Sequence, residues 1–238
     1  MGAPAAQVED VEDVGHWPAT QHRAAAVSRA GGWFEGAPHE DRQGCEETLS
    51  PTPSPRILVF FRLLGSIQHT QNMGLPPLEA QTKVVDVQKL MGKWYVVQVI
   101  PNFIEKEGKV FNETEVYEWN EKKKRIHVTM EYAKGSFDGP RTQLLQHGWI
   151  HNHETGSEWR VSPKVSCCVL PVKLKYIIID TADDYSHMTV GYPDRSMLWI
   201  MTREPNPAET KMESMIQACV AQGYDRAAIK PVPQRWTS

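Results

Sequence analysis

Gly92-Lys93-Trp94-Tyr95-Val96-Val97-Gln98-Val99-Ile100, read against the far-downstream run Leu198-Trp199-Ile200-Met201-Thr202-Arg203, decides the fold. A tryptophan just after a glycine at one strand start, matched by an arginine at a late strand end, can stack ring on guanidinium. Such a pair plugs one end of a small β-barrel. A barrel plugged at one end and open at the other is a cup with room for one apolar small molecule. The feature points to binding rather than chemistry.

Outward from that pair, the chain from Asp86 onward reads as short strands at close spacing. The clearest is Arg125-Ile126-His127-Val128-Thr129-Met130-Glu131-Tyr132, whose even positions are apolar or aromatic and whose odd positions are polar. That alternation marks a half-buried strand. Further strands are expected over 94–100, 111–119, 142–152, 158–162, 165–170, 174–181, 187–192 and 197–202, divided by turn residues at 135–140, 154–156 and 192–195. Many strands in succession with no helices between them give a sandwich or a closed antiparallel barrel. One helix follows. Asn206 suits its N-cap, Pro207 its first position and Gly223 the position after its end. Met212, Met215, Ile216, Cys219 and Val220 recur at three and four residues, forming one apolar face that packs on the barrel wall.

Twenty-six basic side chains against 29 acidic ones, with a formal net charge of -3, leave no dominating basic stripe, so nucleic acid is not an expected partner. Residues 1–72 read as a disordered extension. Glu9-Asp10-Val11-Glu12-Asp13 is acidic and lacks periodicity, and Ser50-Pro51-Thr52-Pro53-Ser54-Pro55 can form neither helix nor ladder. Within it, the apolar island 56–67 is too short to span a bilayer and is far from the N-terminus for a signal h-region. Neither a signal peptide nor a lipid-attachment motif is recognisable, and the compartment stays open. The folded domain is expected over 73–238. For the cysteines two readings stand: a disulfide from Cys219 to Cys167 or Cys168, or reduced core thiols.

These residues resemble the lipocalins, and within them the branch of bacterial outer-membrane lipocalin, apolipoprotein D and the plant temperature-induced lipocalins. The likeness covers roughly Leu75 to Trp236. It is carried by Asp86-Val87-Gln88-Lys89-Leu90-Met91-Gly92-Lys93-Trp94-Tyr95, by Asn112-Glu113-Thr114-Glu115-Val116-Tyr117, and by Asp184-Tyr185-Ser186-His187, Pro193-Asp194-Arg195 and Leu198-Trp199-Ile200 in the expected order. The resemblance implies an all-β, eight-stranded up-and-down barrel (the calycin architecture) with one C-terminal helix on its outside. It also implies carriage or sequestration of a fatty acid, lysophospholipid or similar hydrophobic compound. Gly92, Trp94 and Arg203 map onto the structural plug of the closed end. The branch usually has an acidic and a small residue after Trp-Tyr. Here Val96 and Gln98 stand there, so the cavity floor is expected to be apolar and uncharged.

With Trp94 inward, strict alternation turns Val96, Gln98 and Ile100 to the interior. Ile126, Val128, Met130 and Tyr132, with Tyr176 and Ile178 from a later strand, complete the expected cavity lining. The bland alternative is that these side chains fill the barrel outright. His147, His151 and His153 share one strand parity, but they lie beside a turn with no convergent carboxylate or cysteine, and a solvated strand end explains them better than a metal. Lys122-Lys123-Lys124-Arg125 reads as a charged hairpin tip; it and the island are the only support for peripheral membrane contact or a stress-protective role. Asn112-Glu113-Thr114 is a glycosylation sequon. No nucleophile elbow, zinc helix, phosphate loop or paired-carboxylate spacing is present, so no catalytic residue and no cofactor are expected. The rival class is an isomerase or de-epoxidase of this fold.

Overall fold

The computed structural model describes residues 74–102, 105–165 and 168–236. The acidic start, the proline-spaced linker, the apolar island and Cys167 lie outside the described residues. Eight antiparallel strands run up and down in sequence order: β1 (Gly92–Val99), β2 (Val110–Asn120), β3 (Arg125–Lys134), β4 (Arg141–Ile150), β5 (Glu158–Val165), β7 (Leu174–Thr181), β8 (His187–Gly191) and β9 (Leu198–Thr202). Strand β9 pairs back onto β1, which closes the sheet into a barrel. Two short strands are appended: β6 (Cys168–Val169) on β5 and β10 (Lys230–Pro231) on β1. The two strands expected over 158–162 and 165–170 are thus one long strand plus this short return. Pro163 is tolerated because β7 pairs only with Glu158–Val161, leaving the proline beyond that ladder.

A bulge between Val96 and Gln98 sets the geometry of β1. Before it, Trp94 and Val96 point into the barrel core; after it, Val99 does, while Val97 and Ile100 pack on the outside. One inserted residue reverses the alternation. Gln98 and Ile100, expected to line the interior, therefore do not. Gln98 lies opposite Ile200, whose side chain belongs to the outer cluster. Strand β2 carries a second bulge between Phe111 and Thr114, with Asn112 in the left-handed region at φ 50°. Asparagine tolerates that conformation better than most residues.

Two apolar layers result. The inner one joins Trp94, Val96, Ile126, Val128, Met130, Trp159, Ile178 and Met201 from facing strands. The outer one joins Val97, Ile177, Ile179, Leu198 and Ile200 to Met215 and Cys219 of helix α2 (Glu209–Ala221). The helix starts later than Asn206 and Pro207 suggest: its N-cap is Ala208, which makes no side-chain hydrogen bond. At the other end Gly223 adopts φ 89°, and its N–H donates to the Val220 carbonyl at 2.9 Å.

The chain beyond β10 forms a strap. Val232 N–H donates to the Val97 carbonyl at 3.0 Å, and Asn112 N–H to the Pro233 carbonyl at 2.9 Å. The Gln234 side-chain amide donates to the carbonyls of Val96 (2.6 Å) and Glu113 (3.1 Å). These bonds satisfy backbone groups that the two bulges leave without a ladder partner. Arg235 then clamps Asp138 at 2.8 and 2.9 Å in the β3–β4 connection.

The opposite end is sealed by Trp94 and Arg203. The guanidinium carbon sits 3.6 Å from the centre of the Trp94 ring. Its nitrogens donate to three carbonyls: Lys93 at 2.8 Å, Lys89 at 2.7 Å and Met91 at 3.0 Å. Those last two oxygens lie at the C-terminal end of the short helix α1 (Val87–Leu90) and just beyond it, where a cation is favoured. The Trp94 indole N–H donates to the Leu90 carbonyl at 2.8 Å. Gly92 stands at φ 94°, and a Cβ there would come within 3.5 Å of the guanidinium. Arginine thus ties α1, β1 and β9 together at one point. Replacing Arg203 with Ala is expected to remove about 2–4 kcal/mol of unfolding free energy, through lost charge-assisted hydrogen bonds and cation–π contact. Denaturant titration of both proteins checks this; an unchanged midpoint would contradict the plug.

Candidate functional site

The barrel interior combines apolar side chains with a group of buried carboxyls. Of the expected lining residues, Val96, Ile126, Val128, Met130, Tyr132 and Ile178 are buried in the inner cluster, and Tyr176 packs against it. Tyr176 stacks on Trp159 with ring centres 5.2 Å apart and planes 9° from parallel, while Tyr117 meets the same indole edge-on at 5.9 Å. An aromatic corner of this kind gives an apolar ligand a flat wall, with two phenol oxygens at its edge.

Strand alternation alone does not place the carboxyls. Glu113, Glu115 and Tyr117 alternate on the inner face of β2, and Glu105 reaches in from the β1–β2 connection; all three carboxyls are almost fully buried. Glu115 stands directly opposite Trp94. The floor beside Val96 is therefore not uncharged, because the adjacent strand supplies the carboxyl that β1 lacks. Glu105 is held by the Trp199 indole N–H at 2.6 Å and by the Asn102 side-chain amide, and its own N–H donates to Asn102 Oδ1 at 3.0 Å. Tyr117 donates its hydroxyl to Glu115 and lies 2.6 Å from the Tyr176 hydroxyl. Glu113 is different: among the described residues neither carboxyl oxygen receives a hydrogen bond from a donor. Its polar neighbour is the Glu105 carboxyl, and two carboxyls bond only when one of them keeps a proton.

Burial and mutual repulsion both oppose ionisation here. Desolvation pushes Glu113 well above the ordinary carboxyl range, with the charge of Glu105 adding to it. Desolvation likewise raises Glu105, against hydrogen bonds from Glu113, Trp199 and Asn102 that favour its charged form. It raises Glu115 from 4.5 to about 7, against the Tyr117 hydrogen bond. Among the described residues no ion pair involves any of the three. They form an acid pair with a proton between them and a third carboxyl poised near neutrality.

Other singled-out residues fall elsewhere. His147 is buried rather than solvated, edge-on to His127 with ring centres 4.8 Å apart, because β4 continues past it to Ile150; His151 and His153 are exposed in the following turn. No three metal-ligating side chains converge among the described residues. Asn112 of the sequon is buried, its amide donating to the Arg235 carbonyl at 2.9 Å and accepting from the Arg235 N–H at 2.6 Å. Glycosylation there is incompatible with the strap. Cys219 is a reduced thiol buried under α2, and burial pushes its pKa up to about 12, which leaves it unreactive. Lys122, Lys123 and Lys124 occupy the exposed turn between β2 and β3. Among the described residues no helix is long and apolar enough to cross a membrane.

A closed eight-stranded barrel with an outer helix and an arginine–tryptophan plug is the calycin architecture. Residues 85–234 match the family model of the lipocalin-like domain, and the chain belongs to the lipocalin family. Temperature-induced lipocalin-1 of Arabidopsis thaliana is 25% identical over 166 residues, which cover 64% of this chain and 81% of that protein. Among solved structures, insecticyanin of the tobacco hornworm Manduca sexta aligns with a TM-score of 0.52 at 14% identity, over 69% of this chain and 87% of its own. Apocrustacyanin C2 aligns with a TM-score of 0.50 at 12% identity, over 69% and 93%. These two show the fold alone.

The raised carboxyls make stability depend on pH with a definite sign. Between 4.5, where Glu115 ionises when unfolded, and about 7, where it ionises when folded, the native state holds the extra proton. The contribution of Glu115 to stability therefore falls as pH rises through that window and levels off above it. Glu115→Gln keeps an acceptor for Tyr117 without the charge. The variant is expected to gain on the order of 3 kcal/mol over the parent at pH 8, and to lose that advantage near pH 4.5. Denaturant titrations of both proteins across this range check it; a pH-independent difference would contradict the assignment.

Proposed function

We propose that the protein reversibly binds and carries a small hydrophobic ligand, a lipid of the fatty acid or lysophospholipid kind, inside the barrel and without covalent chemistry. One observation carries this reading: an aromatic and aliphatic interior, sealed at one end by Arg203 on Trp94, that also holds a small set of buried polar groups. A cup of that polarity orients an amphiphile, with its chain along Val128 and Met130 and its head group toward the glutamates. Burial of an alkyl chain contributes roughly 25 cal/mol per Å2 of apolar surface before association costs are subtracted. Among the lipids considered, a choline-bearing lysophospholipid suits three buried carboxyls better than a free fatty acid, whose own carboxylate they repel.

The rival reading, an isomerase or de-epoxidase, has one observation in its favour. The Glu115 carboxyl, at about 7 and in contact with Tyr117, is suited to giving or taking a proton. Native mass spectrometry of the full chain, with organic extraction of whatever co-purifies, separates the two. A carrier returns its ligand with mass and double-bond positions unchanged. Val128→Phe, which narrows the interior, is expected to weaken binding of a fluorescent alkyl probe by about tenfold. Undiminished binding in that variant, or an empty protein that takes up no apolar probe, would overturn the reading.

A further inference from the structure

We propose that the group of carboxyls inside the barrel is a subsite for an organic cation, a protonated or quaternary amine on an apolar body, seated against Glu113 with Glu105 and Glu115 beside it. The proposal rests on the interior being the binding cavity, and it names the chemistry of the head group that cavity selects. Its starting point is Glu113. A fully buried carboxyl whose two oxygens receive no donor is costly, and in a folded chain a group of that kind commonly awaits a partner. Among the described residues its one polar partner is Glu105, a second carboxyl that it can bond only by keeping a proton; Asn102 and Trp199 are spent on Glu105, and Tyr117 on Glu115.

A partner that lets both carboxyls ionise must bring hydrogen, positive charge or both, and it must be small enough to enter a barrel. A metal ion fits poorly, because among the described residues no three carboxylates, imidazoles or thiols converge on a point. An anionic head group would add a fourth acid to three that already repel one another. An ammonium answers both deficits. Its N–H groups donate to Glu113 and Glu105, its charge takes the place of the proton they share, and its alkyl body continues toward Val128 and Met130. A quaternary ammonium lacks the N–H donors but keeps the charge, and it gains from the surrounding aromatic faces. Those faces are present. The Trp199 indole contacts Glu105, the Tyr117 and Tyr176 phenols lie beside Glu115, and Tyr132 is near enough to Glu113 and Glu105 to feel their charges. Acids ringed by aromatics, with no ion pair to a lysine or arginine among the described residues, form a cation cradle.

The test compares head groups on one chain length. The full-length protein is titrated at about pH 8 with dodecylamine, dodecyltrimethylammonium, dodecanol and dodecanoate, each displacing the neutral probe N-phenyl-1-naphthylamine. One or both cations are expected to bind at least about tenfold more tightly than dodecanol, and dodecanoate more weakly than dodecanol. A preference for dodecylamine alone assigns N–H donation; equal preference for the quaternary ion assigns charge and aromatic contact. In Glu113→Gln the ratio of cation to alcohol affinity is expected to collapse toward one, and in Glu115→Gln to fall less. Dodecanoate binding as tightly as the cations overturns the cation subsite while leaving lipid carriage standing. Failure of all four chains to displace the probe overturns the binding reading itself.

Discussion

Closure of the sheet rests on β1, which must pair with β9 and β2 along its first half and with β9 and β10 along its second. The Val96/Gln98 bulge permits this. Ahead of it, Trp94 and Val96 build the interior and the plug; beyond it, Val97 and Ile100 turn out to meet the helix layer. Without the inserted residue, either the inner core or the seat of α2 would lose its apolar contacts. The same divergence of β1 from β2 opens the gap that residues 232–235 fill. The C-terminal strap is thus a consequence of the bulge rather than a separate ornament.

The interior acids sit awkwardly in that frame. Core packing alone favours aliphatic residues at 113 and 115, since burying carboxyls costs stability that their few hydrogen bonds do not return. Such a cost fits a site kept for what it binds. The aliphatic residues hold the barrel together around the acids, with the Trp94–Arg203 contact and the layer under α2. The polar chain runs from Glu115 through Tyr117 to Tyr176, which stacks on Trp159.

What the sequence made legible was local and periodic. The 126–132 alternation, the methionine and cysteine face of the helix, the turns and the glycine–tryptophan–arginine set each have a short-range signature. The bulges have none. Nothing in Tyr95-Val96-Val97-Gln98-Val99 distinguishes an uninterrupted strand from one with an extra residue, so strict alternation puts Gln98 and Ile100 on the wrong face. In β2 both parities are mixed: Asn112, Thr114, Val116 and Glu118 on one, Glu113, Glu115, Tyr117 and Trp119 on the other. Hydropathy does not choose between them. The usable signal was the second set's aromatic pair, which needs an interior to bury in and takes Glu113 and Glu115 with it. Glu105 carried no signal, because a loop residue has no periodicity to place it.

The central claim is that the interior, and not the outer helix groove or the surface, holds an apolar molecule with its polar end toward the glutamates. A crystal structure of the full chain with a bound dodecyl amphiphile tests it most directly. The account predicts continuous density inside the barrel, with the chain against Val128 and Met130 and the head group within hydrogen-bonding distance of Glu113. A ligand lying outside the barrel, or an interior filled by side chains with no room for one, would contradict it.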